Sequence, residues 1–180
     1  MIPSTHSRKT TGPGVDRARA LVLGLVALAP LAACGPTPER FARSFESQRE
    51  LAEAFLRALE QRDRARIESL ALSREEFKSE AYPEMPAYGS IPAEFAWSQL
   101  AARSRYGLSR VLSAHGGRTY ELLDLSYQGG HTAYRTFVVH RRTMLRVRDR
   151  ASGEEATLAL FGSILEHRGR FKLFSFNIDR

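Results

Sequence analysis

The sequence predicts an α+β fold in which N-terminal helices pack on a bent antiparallel four-stranded sheet, as a cone-like roll. Three observations carry this expectation. Apolar residues between Phe41 and Leu112 recur at helical spacing, twice behind a Ser-x-x-Glu signal. After Gly116-Gly117 the period falls to two, the spacing of a strand with one covered face. The β-rich runs that follow are joined by short turns, which antiparallel neighbours accept and parallel ones do not. Helices first and strands second is an α+β order, not the alternation of an α/β sheet.

In chain order, the first element is not part of the fold. Arg17 and Arg19 precede an uncharged run from Ala20 to Ala33. That run is shorter than the roughly 20 apolar residues a membrane-crossing helix needs. It exits through Leu31-Ala32-Ala33 into the chain's only cysteine, Cys34. A positive segment, a short apolar core and a small-residue exit are the parts of a secretory signal. The tetrad Leu31-Ala32-Ala33-Cys34 resembles the lipobox of bacterial lipoproteins. The resemblance implies cleavage before Cys34, a diacylglyceryl group on its thiol, and a chain held by lipid on the exported side of a membrane. Gly35 in place of Asp implies the outer membrane where the source has one. Residues 1–14 make the charged segment long, and a start at Val15 would leave Val-Asp-Arg-Ala-Arg as an ordinary positive region. The expected organisation is a signal peptide over 1–33, the lipidated cysteine and tether over 34–46, and one domain over 47–180.

Within the tether, Pro36 and Pro38 resist both helix and sheet. Phe41, Phe45, Leu51, Phe55 and Leu59 mark one helix, firmest from Ser47 to Gln61, with Ser47 and Glu50 as its capping signal. Asp63 caps a short second helix with Ile67 and Leu70 on its inner face. Ser73 and Glu76 open a third, expected to end before Pro83. Pro83, Pro86, Gly89 and Pro92 make a loop. A longer helix starts near Ile91 or Pro92, carries Phe95, Trp97, Leu100, Leu108, Val111 and Leu112, and stops at Gly116-Gly117; Gly107 is its one candidate interruption.

The strands are expected at Thr119 to Tyr127, Ala133 to Arg148, Glu155 to His167 and Phe171 to Ile178. In the first, Leu123 and Leu125 oppose Asp124 and Ser126. Gln128-Gly129-Gly130 reads as the turn between the first two strands, and Gly162 as a bulge or bend in the third. In the last, Phe174, Phe176 and Ile178 share one face by the two-residue period. This order of elements, closing on Gly169-Arg170-Phe171-Lys172-Leu173, resembles the nuclear transport factor 2-like superfamily over residues 47 to 178. The resemblance implies a cystatin-like α+β roll whose bent sheet wraps helices into a cone. It also implies either an isomerase- or dehydratase-type enzyme or a non-catalytic binding or dimerising module.

Composition narrows the choice of chemistry. The chain has 180 residues, 27 basic against 20 acidic, and a hydrophobic share of 43%. That excludes collagen, a disulfide scaffold and a polytopic membrane protein. Residues 1–33 hold four basic groups and one acid, so much of the basic excess leaves with the leader and nucleic acid is not an expected partner. No His-x-His, His-Glu-x-x-His, Gly-x-Ser-x-Gly or phosphate-loop spacing occurs, so neither a metal nor a cofactor is implied. For the enzyme reading, Asp124, Tyr127, Tyr134 and His140 are the strand residues able to supply an Asp or His base and a Tyr donor. For the binding reading, Phe95, Trp97, Phe161, Phe171, Phe174 and Phe176 are the residues able to line a cavity for a small apolar ligand. A sheet face is also available for a homodimer or an envelope-protein contact. From residue 103 onward there are 14 basic groups and 7 acids. Arg142, Arg146 and Arg148 fall on one face of a regular strand, where they would meet anionic lipid or an acidic partner.

Overall fold

In the computed structural model, which describes residues 41–176, the first helix begins where its capping signal puts it. The leader, Cys34 and most of the tether lie outside the described residues, as does Ile178. Helix α1 runs Gln48–Glu60, and the Ser47 hydroxyl accepts a hydrogen bond from the Glu50 amide at 3.1 Å. Phe41 and Phe45 are not part of it. Phe45 pairs instead with Phe171, exchanging backbone hydrogen bonds of 2.9 and 2.8 Å, which lashes the entry of the domain to the sheet. Helix α2 (Arg64–Ser69) is capped by Asp63, whose carboxylate accepts from the Arg66 amide at 2.9 Å.

Ser73 and Glu76 form both halves of the expected capping box on α3 (Arg74–Glu76). The helical path does not stop before Pro83, however. It loosens into a π-turn over Phe77–Ala81, then tightens into a 3₁₀ turn over Tyr82–Glu84. Pro83 stands at the start of that turn, where its missing N–H has no partner to lose. Helix α4 (Ala93–His115) runs through Gly107 unbroken and ends at Gly116. Among the described residues no helix is long and apolar enough to cross a membrane.

Among the described residues seven strands follow: β1 (Tyr120–Tyr127), β2 (His131–Ala133), β3 (Val138–His140), β4 (Thr143–Asp149), β5 (Glu155–Leu158), β6 (Ser163–His167) and β7 (Arg170–Ser175). They form two antiparallel sheets, ordered β1-β4-β5 and β2-β3-β6-β7. The α+β class and the helix-plus-sheet roll are therefore present, with more and shorter strands than the period of the sequence suggests. The reason is a crease. Backbone bonds from Gln128 to Arg142, Gly129 to Arg141, Arg141 to Gly130, Thr143 to Gly162 and Gly162 to Ser175 (2.9–3.1 Å) carry the pairing across the gaps between short strands. Residues 120–133, 138–149, 155–167 and 170–175 thus make four neighbouring runs, three of them folded at the crease.

Gln128-Gly129-Gly130 is accordingly part of the crease rather than the reversal between strands. The reversal comes later, where the Tyr134 amide donates to the Phe137 carbonyl at 2.8 Å. A glycine pair looks the same in either role. What demands glycine here is contact: a Cβ on Gly129 would sit 2.8 Å from the Arg141 Cβ.

Two bulges correct the expected faces. Between Leu122 and Asp124 the register against β4 slips, so Leu123 is left over; Leu122 is buried in its place and Leu125 packs on the core. Opposite Ser163 and Ile164 the partners are Ser175 and Leu173, so Phe174 is the extra residue of β7. Phe171, Leu173 and Phe176 pack in one cluster with α1, while Phe174 packs in another with Trp97 and Leu100. The two clusters lie on opposite faces, because the neighbours Ile164 and Leu165 belong to different ones. Strand β6 is thus covered on both sides.

Candidate functional site

Creasing a sheet leaves a concavity on its inner side, and here α4 and the 77–87 segment cover that concavity without filling it. The result is a cleft of about 850 Å³. Its floor is the crease itself, from Gln128 and Gly129 through Arg141–Met144 to Gly162 and Ser163. One wall is apolar, built from Phe77, Tyr82, Met85, Val139, Phe161 and Phe174. The other is α4, where Ala96, Gln99, Leu100 and Arg103 recur at spacings of three and four and so share a stripe. A second cleft of about 280 Å³ lies along the same helix, against Trp97, Leu108, Phe174 and Phe176.

The cleft's polarity is one-signed. Arg103, Arg141 and Arg142 line it, and among the described residues no aspartate or glutamate does. Thr143 also lines it, 1% exposed, with a buried hydroxyl that meets no hydrogen-bond partner among the described residues. Arg142 adopts a left-handed backbone (φ 54°), which takes it out of the alternation of β4. It therefore does not share a face with Arg146 and Arg148. Those two are held by carboxylates on the outer side of the β1-β4-β5 sheet: Arg148 contacts Glu155 at 2.7 Å and Glu121 at 3.3 Å, and Arg146 contacts Glu155 at 3.5 Å. The three-arginine face of the sequence reading is divided by the fold. The charged network also occupies the face that a dry homodimer contact through this sheet would need.

The four strand residues weighed for catalysis are dispersed. Asp124 is exposed and stands opposite Arg146 on the neighbouring strand. Tyr134 lines the cleft but stacks on Phe137 at 4.6 Å. Tyr127 and His140 do come together, ring on ring at 4.7 Å, and the His140 Nε2 lies 2.8 Å from a Glu166 oxygen. Glu166 had no signal in the sequence. Burial, then the Glu166 charge, pushes the Tyr127 phenol above its ordinary value, and its hydroxyl has no hydrogen-bond partner among the described residues. It stays protonated through the physiological range. None of these three lines either cleft, so a substrate held there would not touch them. Of the aromatic set, Phe161 and Phe174 line the main cleft, Trp97 and Phe176 the smaller one, Phe171 packs on the core, and Phe95 is 56% exposed. Among the described residues no group of three or more His, Cys, Asp or Glu is placed to hold a metal.

Glu84 stands between the cleft-lining residues Tyr82 and Met85 without lining the cleft itself. Its carboxylate accepts from the Thr136 hydroxyl at 2.6 Å and the Thr136 amide at 2.8 Å, tying the Tyr134–Phe137 reversal to the 3₁₀ turn. Burial pushes the Glu84 carboxyl up, but the Thr136 hydrogen bonds and the Arg135 charge outweigh it and hold it below the ordinary 4.5. A lowered folded value means stability that is complete above the unfolded value and lost as the pH falls through the folded one. Urea unfolding of the protein and of Glu84→Gln should therefore differ most near pH 7 and converge as the pH drops below about 4.5. An equal gap at pH 7 and pH 3 would assign the effect to packing.

Fold and site together define an α+β roll with a basic, apolar-walled cleft at a sheet crease. No protein family, curated protein or solved structure matches the chain.

Proposed function

We propose that this protein is a lipoprotein held on the exported side of a membrane through Cys34, and that its domain is a non-catalytic binding module for a small, largely apolar molecule of the cell envelope. The cleft supports the binding half. Its volume falls within the roughly 300–1,000 Å³ of small-molecule sites, and its walls are apolar with a few convergent polar groups. The anchoring half rests on Leu31-Ala32-Ala33-Cys34 and the apolar run before it. One acyl chain holds a protein only marginally, at about 0.8 kcal/mol per buried methylene, whereas two or three hold it stably. The alternative, a tethered isomerase or dehydratase, has less support, since Asp124 is exposed and Tyr127 and His140 lie away from the clefts.

Each half has its test. Cys34→Ser should abolish lipidation and the removal of the leader by the lipoprotein pathway. Unchanged processing and unchanged membrane association would defeat the lipobox reading. Organic extraction of the natively purified protein, followed by mass spectrometry, should recover a small molecule that Ala96→Trp, which fills the cleft, excludes. Equal recovery from both proteins would remove the cleft from the function.

A further inference from the structure

The charge of the cleft says more about its occupant than its volume does. Three exposed arginines, Arg103, Arg141 and Arg142, line one largely apolar cleft with no carboxylate among the described lining residues, while the nearby Arg146 and Arg148 are paired with carboxylates. Unpaired like charges beside low-dielectric walls repel one another and focus a positive field into the cavity. Arginine forks match carboxylate and phosphate oxygens two at a time. Beside Arg141 and Arg142, Thr143 also lines the cleft, and its buried hydroxyl has no hydrogen-bond partner among the described residues. A buried donor of that kind costs free energy until an acceptor reaches it. Arg141, Arg142 and Thr143 lie on the crease floor of the cleft, and Phe77, Tyr82, Met85, Leu100 and Phe174 line it from other elements.

We propose that the cleft takes an anionic amphiphile: a single apolar chain or ring system ending in a carboxylate or phosphate. The anion sits at the crease, against Arg141, Arg142 and Thr143 with Arg103 reaching across from α4, and the apolar part lies along the Phe77–Leu100–Phe174 wall. This rests on the reading of the cleft as a binding site and adds the chemistry of what it binds.

The test is calorimetric titration of the full chain carrying Cys34→Ser, so that no lipid of its own competes. The probes are decanoate, decyl phosphate, 1-decanol and decylamine, each below its aggregation concentration. Decanoate or decyl phosphate should bind at least tenfold more tightly than decanol, and decylamine most weakly. The tighter of the two anions identifies a fatty-acid-like or a phosphate-ester occupant. The triple change Arg103→Gln, Arg141→Gln, Arg142→Gln should bring both anions down to the affinity of decanol and leave decanol unchanged. Thr143→Val should weaken the anions several-fold and spare decanol. Arg146→Gln with Arg148→Gln should change nothing. Decanol binding as tightly as the anions, or an anion preference that survives the triple change, would overturn the proposal and leave the apolar binding site standing. Anion binding that persists in Ala96→Trp, or in Gln99→Trp should the first variant unfold, would place the site elsewhere and also overturn it. If none of the four probes binds, the binding-module reading fails, and the proposal with it.

Discussion

Phe55→Ala is expected to lower the unfolding free energy by about 3–5 kcal/mol, the range for truncating a buried aromatic ring. Phe55 is fully buried on α1 and meets Phe161 edge-on, ring centres 5.0 Å apart, and Phe176 at 6.4 Å. These contacts hold the helix to the crease at Phe161 and to the end of the last run. Removing the ring forfeits its transfer energy, opens a cavity, and loses the aromatic pairing. Domains of this size are stable by only about 5–15 kcal/mol, so the variant should sit at the margin of folding. Chemical denaturation reads the loss directly. Phe95→Ala is the control: that ring is 56% exposed, and its removal should fall within about 0.5 kcal/mol of no effect. A Phe55 loss below about 1 kcal/mol would mean that α1 does not close over the sheet as described.

Lys172→Met is expected to cost about 3–5 kcal/mol, the penalty for leaving a buried charge unpaired. Lys172 is 3% and Glu76 9% exposed, and the ammonium lies 2.7 and 2.8 Å from the two Glu76 oxygens while also donating to the Ala42 carbonyl. Glu76 in turn accepts the Ser73 amide at 2.7 Å to complete the α3 capping box. One carboxylate therefore joins the last strand, the third helix and the chain entry. Because the penalty comes from the stranded partner, the double variant Lys172→Met with Glu76→Gln should be less destabilised than Lys172→Met alone. Glu76→Gln keeps an acceptor for the cap and removes the orphaned charge. A double-mutant cycle in urea tests this, and simple additivity of the two single losses would show that the pair is not coupled.

Local rules and long-range rules divide this chain sharply. Ser47, Asp63 and the Ser73/Glu76 box start helices where the sequence predicts, because a cap needs only residues two or three positions away. Gly116-Gly117 ends α4 for the same reason. The switch from a 3.6-residue to a 2-residue period was legible too, and with it the α+β class. The buried pair was not. Lys172 in a strand and Glu76 in a capping box each have an ordinary surface meaning, and 95 intervening residues conceal that they meet. The cleft was half legible: Phe161 and Phe174 stood out as aromatic residues, whereas Arg103 and Thr143 carried no signal at all.

The difference is physical. Caps, periods and glycine stops depend on backbone geometry within a few residues, so the sequence by itself determines where the helices start and where the β-rich runs fall. Where the crease crosses each run is decided by the tertiary structure. Gly129 is needed there because Arg141 on the neighbouring run comes too close for a Cβ, and Gly162 is placed there by its bonds to Thr143 and Ser175. Gly129 reads equally well as a turn residue until those neighbours are known, whereas Gly162 was legible as a bulge or bend within a strand. The bulges at Leu123 and Phe174 are likewise set by pairing with the facing run, and a one-residue slip reassigns every side chain beyond it. In the sequence Arg142 belongs to a candidate anionic-contact face with Arg146 and Arg148, and Arg141 is only its neighbour. Only the fold turns them, with Arg103 from a helix some 40 positions earlier, into the basic end of one apolar cleft.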